Sequence, residues 1–121
     1  KQQGRKENSG NLIVDFNLPK NKNVSEIAVS CMESINVGFI LHPESISLYD
    51  ISSGSEKLIS SISIPKSDVD EPDSKKVFKL SLKQKNIKRV RLKINSNRSL
   101  PKGHVAEGQP AWVFVDEIFL L

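Results

Sequence analysis

The chain has 121 residues, 18 Lys and Arg against 14 Asp and Glu, a formal charge of +4 and a single Cys. That length suits one domain with one core, hiding roughly two thirds of its unfolded surface. No apolar run approaches the roughly 20 residues of a membrane-spanning helix, and one Cys excludes an internal disulfide and a cysteine-based zinc cluster.

The amino end, KQQGRKENSG, carries no initiator Met and no apolar signal core. It reads as a leader, residues 1–10, on a piece of a longer polypeptide. Residues 11–18 alternate strictly, with Leu12, Val14, Phe16 and Leu18 on one face and Asp15 and Asn17 between them. That period of two is a half-buried strand. A loop of Pro and Asn follows. Residues 25–32 place Ile27, Val29 and Cys31 on one side, and 44–51 do the same with Ile46 and Leu48 before the turn SSGS. Residues 57–64 align Leu58, Ser60, Ile62 and Ile64. The acidic loop PKSDVDEPDS leads to 77–82, with Phe78, Leu80 and Leu82 aligned. Residues 88–94 turn Val90, Leu92 and Ile94 inward and Arg89, Arg91 and Lys93 outward. A long loop then ends in the closing strand AWVFVDEIFLL at 111–121.

Seven strands and no helix predict an all-β, antiparallel sandwich or barrel over 11–121. If successive strands run antiparallel, loops 32–43, 65–76 and 95–111 share one end with the leader. Loops 19–24, 52–56 and 83–87 share the other. The long, chemically varied loops therefore crowd one pole, which is where binding sites are built on rigid scaffolds.

Hydrolytic motifs such as a Gly-x-Ser-x-Gly elbow, His-Glu-x-x-His or a phosphate loop are missing. The two histidines, His42 and His104, both fall on the long-loop pole. Residues 75–102 hold a run of Lys and Arg without an acid, a stripe that can hold a polyanion by counterion release. The stripe lacks the interleaved aromatics on which bases stack, which disfavours nucleic acid. Asp68, Asp70, Glu71 and Asp73 offer hard oxygens of the kind calcium takes. For a sugar, planar hydrogen-bonding groups and an aromatic face are needed. The long-loop pole supplies Phe39, His42, Asn95, Asn97, Arg98, Lys102, His104 and Trp112. From these, Phe39 is the expected ring platform, and His42, Arg98 and His104 the expected polar contacts.

The carboxyl-terminal third carries a more specific pattern. It has Arg89-Val90-Arg91, then Leu100-Pro101, then His104, then Gly108-x-Pro110-Ala111-Trp112-x-Phe114-x-Asp116-Glu117-Ile118. Together with the step GFILHPESISLY and the segment NLIVDFNLPKNKNVSEIAVSCMES, this resembles the discoidin-like (F5/8 type C), galactose-binding-fold domains of bacterial glycoside hydrolases. The likeness is greatest to those following the catalytic barrel of family 20 β-N-acetylhexosaminidases from Bacteroidetes. The resemblance implies an eight-stranded jelly-roll sandwich, with the leader standing where a first strand is missing. It implies a non-catalytic module that binds glycan or buttresses an adjacent catalytic domain, in a periplasmic, cell-surface or secreted enzyme. It also implies a structural calcium, for which Glu117 matches one ligand, although the partner Asp-Gly loop is absent from this chain.

Overall fold

The computed structural model describes residues 3–7, 11–20, 23–83 and 86–121. Among them are eight strands and no helix: β1 (Gln3–Glu7), β2 (Asn11–Asn17), β3 (Glu26–Glu33), β4 (Ser45–Asp50), β5 (Lys57–Ser63), β6 (Ser74–Ser81), β7 (Arg89–Asn95) and β8 (Val113–Leu120). They form two four-stranded sheets, β1-β8-β3-β6 and β2-β7-β4-β5, and every neighbouring pair is antiparallel. The chain is a β-sandwich. The leader is not bare: Gln3–Glu7 pairs with β8 at the edge of the first sheet, an element too polar to show a hydrophobic period.

Alternation explains the core. Leu12, Ile46, Leu48, Val90, Leu92 and Ile94 of one sheet meet Ile27, Val29, Cys31, Leu80, Val113 and Val115 of the other in one buried cluster. Alternate positions of each strand face the opposite sheet, so the apolar set is excluded from water and the polar set is not.

Two bulges break the period. In β8, Ser30 pairs with Glu117 but Cys31 with Val115, which leaves Asp116 as the extra residue. The slip lets Val115 and Ile118, three positions apart, both lie buried, whereas strict alternation would turn one of them outward. In β5, Leu48 pairs with Ser60 but Tyr49 with Leu58, so Ile59 is the extra residue. The expected face of Leu58, Ser60, Ile62 and Ile64 is therefore split. Leu58 is 61% exposed, and Ile59 packs on the core together with Ile62.

A second, smaller buried cluster lies outside the sandwich core. Ile35, Leu41, Leu100 and Ala111 form it, with Phe39 and Ala106 packed against them. All six belong to long loops, so one pole of the sandwich has an apolar centre of its own.

Candidate functional site

The long loops converge as the strand order requires. The 34–44 loop is tied to the 64–73 loop by Asn36 Nδ2 donating to the Val69 carbonyl (2.9 Å) and Ser34 Oγ donating to Asp73 (3.2 Å). It is tied to the 96–112 loop by backbone bonds from Leu41 N to the Trp112 carbonyl (3.0 Å) and from Trp112 N to the Phe39 carbonyl (2.9 Å).

The four residues expected to bind sugar sit within this web, and three of them are its fasteners. Arg98 donates through Nη1 to the carbonyl of His42 (3.1 Å) and at longer range to that of Pro65 (3.5 Å), and through Nη2 to that of Ile64. One half-buried guanidinium thus joins all three loops, a fork geometry that a Lys cannot reproduce. Burial lowers its pKa, against the pull of Glu44 and Glu33.

His104 is 5% exposed. Its Nδ1 accepts the Ala106 N–H (2.9 Å), which leaves Nε2–H to donate to the Ile35 carbonyl (2.7 Å). Both ring nitrogens are spent, the tautomer is set, and no nitrogen is left for a ligand. Phe39 meets this ring edge-on, centroids 4.7 Å apart. Its backbone is left-handed, at φ 57, a conformation that costs a bulky residue on the order of 1–3 kcal/mol. The web of bonds on either side of Phe39 holds it there. Its ring is half-buried on the small apolar cluster rather than lying as an open platform.

His42 is 2% exposed. Its Nε2 lies 3.2 Å from Ser74 Oγ and its Nδ1 has no partner. Burial lowers its pKa, Lys76 and Arg98 act the same way and Glu33 opposes them, so the ring is neutral near pH 7. A Ser and a neutral His in contact, with a Glu nearby, invite comparison with a nucleophile–base–orienter set. The geometry differs at the third member. Glu33 accepts the backbone N–H of His42 (2.9 Å) and the Ser67 hydroxyl (2.7 Å), and nothing orients Nδ1. Glu33 is 2% exposed and acts as a buried clasp between two loops. The sequence signal for it was present: Ile27, Val29, Cys31 and Glu33 share one parity, so the alternation that buries the first three buries the fourth.

Glu117 lies within β8, in register with Ser30 and with Gln3 of β1, away from the loop termini. Among the described residues no three His, Cys, Asp or Glu side chains gather around a point.

The basic stripe is divided. Lys79 is on β6 of one sheet, and Arg89, Arg91 and Lys93 are on β7 of the other. Arg91 grips Asp15 through two bonds (2.7 and 2.8 Å) and Glu56 through a third (2.8 Å). Lys93 bonds Glu56 (3.1 Å) and stands over the Tyr49 ring. The Arg91 bonds hold the carboxyls of Asp15 and Glu56 below their usual range. Opposite charges already face Arg91 and Lys93.

Two apolar side chains project from the otherwise polar surface of the long-loop pole. Val37 and Val105, at the tips of two pinned loops, are 86% and 91% exposed. Among the described residues no helix is long and apolar enough to cross a membrane. A scan of protein-family models and a search of curated proteins find no match to the chain. The discoidin-like reading rests on the residues quoted for it.

Proposed function

We propose that the chain is a non-catalytic accessory module of a secreted or surface-bound bacterial glycoside hydrolase. In this reading its long-loop pole buttresses an adjacent catalytic domain. The observation that carries the reading is the pinned pole. Arg98, His104 and Glu33 spend their polar atoms on fixing loops, while Val37 and Val105 project. A rigid surface tipped with small apolar groups suits a folded neighbour, because little ordering entropy is lost when it docks. The strand pairs β1–β8, β2–β7, β3–β6 and β4–β5 support the jelly-roll, galactose-binding-like form of the sandwich. They are the pairs made when one long hairpin of strands is rolled up.

The test uses Val37→Asp with Val105→Asp. In the enzyme carrying this module the double variant lowers the melting temperature of the joined domains, while the isolated module melts unchanged. Equal melting of both enzymes refutes the contact role.

Glycan binding at the same pole is the second reading, favoured by the partial exposure of Phe39 and Trp112. Millimolar N-acetylglucosamine or chitobiose that shifts amide resonances at 36–39 and 97–106 supports it over the first. Shallow, wet sugar sites bind at about that strength.

A further inference from the structure

At the pole opposite the long loops, a cavity of about 450 Å³ opens between the segments following β2 and β6. Its size is within the range of small-molecule sites. Leu18, Val24, Leu82 and Ile87 give it apolar walls, and the polar residues Asn23, Lys83 and Asn86 line it beside them. None of these features belongs to the surface assigned above.

Two further observations bear on this cavity. Among the described residues three non-glycine residues adopt the left-handed backbone, Phe39, Lys83 and Asn86, and two of the three line it. Asn tolerates that conformation, Lys83 is held in it with its N–H donating to Ser81 Oγ (3.1 Å), and such outliers concentrate at binding loops. Charge is the second observation. Residues 18–25 and 81–89 contain no Asp or Glu, and among their described members are Lys20, Lys83, Lys88 and Arg89. Lys88 is fixed beside the cavity, its carbonyl accepting the Leu18 N–H (2.8 Å). The nearest acid in sequence, Glu26, has the outward parity of β3, opposite to that of Ile27 and Val29.

We propose that this cavity binds a small organic anion, a carboxylate or sulfate on a partly apolar body. The body rests on Leu18, Val24, Leu82 and Ile87, and the charge meets Lys83, with Lys20 and Lys88 on the same two segments. Apolar walls supply affinity and the cations select the sign of the ligand.

The test is a two-dimensional amide NMR titration of the chain with hexanoate and with glucuronate, each matched to a neutral control, hexanol and glucose. Binding by at least one carboxylate, with shifts confined to 18–25 and 81–89, is expected; the two probes separate a lipid-like from a sugar-like body. Raising salt from 20 to 300 mM weakens it, as screening requires. Lys83→Gly keeps the left-handed backbone without its strain and removes the ammonium, so the fold persists. The affinity falls about threefold to fivefold, the size of a solvent-exposed charge contact. Four results overturn the proposal: no shift with either carboxylate at 50 mM, equal binding of the neutral controls, shifts only at the long-loop pole, or unchanged affinity in Lys83→Gly. Shifts confined to the long-loop pole would also favour the glycan reading of that pole, and the other three leave the contact role untouched.

Discussion

Replacing Arg98 with Met tests the claim that one guanidinium holds the long-loop pole together. Met keeps most of the apolar stem, so the change removes hydrogen bonds rather than packing. Two bonds matter, to the carbonyls of His42 and Ile64; the contact to Pro65, at 3.5 Å, is at the limit of a hydrogen bond. A bond with a charged partner nets about 1.5 kcal/mol, and a half-buried site gives somewhat less, so the loss is about 2–3 kcal/mol. With about 2.1 cal/mol/K of unfolding entropy per residue, this chain's melting point falls by about 8–12 °C. Arg98→Lys falls nearly as far, because a single ammonium cannot reach carbonyls on two other loops. Calorimetry reads the melting point, and amide hydrogen exchange reads where the loosening occurs. Exchange at 34–44, 64–73 and 96–112 should rise more than in the β3–β8 ladder, since local opening becomes cheaper than global unfolding. A melting point within 1 °C of the parent, with unaltered exchange in those loops, refutes the reasoning.

Other outcomes follow from the same geometry. His42 has its folded pKa below the ordinary 6.5 because it is buried, so the unfolded chain takes up the proton first as pH falls. Stability is therefore level above about pH 7.5 and declines as pH drops through 6.5 toward the folded value; urea midpoints between pH 5 and 8 should show this slope, and His42→Gln should remove it. Cys31 is fully buried and burial, with Asp116 adding to it, pushes its thiol up to about 12; a thiol reagent at pH 8 should leave the native chain unlabelled and react only on unfolding. Leu41→Ala, at a fully buried position of the small loop cluster, should cost about 2–4 kcal/mol in urea denaturation, because that cluster has few side chains with which to close the gap.

The strands were legible because their apolar residues alternate, and loop placement followed from antiparallel order alone. Three things escaped that reading. β1 is polar, so pairing with β8 rather than any hydrophobic period places it. The bulges at Ile59 and Asp116 invert parity within a strand. Nothing in KLISSISI distinguishes an inward Leu58 from the outward one observed. The candidate site was legible in position but not in role. His42, Arg98 and His104 do meet at one pole, yet whether a loop histidine faces water or a carbonyl depends on neighbours far along the chain, 69 residues away for the bond between His104 and Ile35. Ile35, Leu41 and Leu100 carried the missing signal. Apolar residues within otherwise polar long loops mark connections that fold onto something of their own.

That separate apolar knot has an engineering consequence. The pole can be rebuilt, by trading its three loops as a set for those of another protein, while the layers beneath keep their registry. Exchanging one loop alone strands half of an interlocked pair. Evolution faces the same choice, and drift at this end of the molecule should proceed by wholesale replacement rather than by single substitutions.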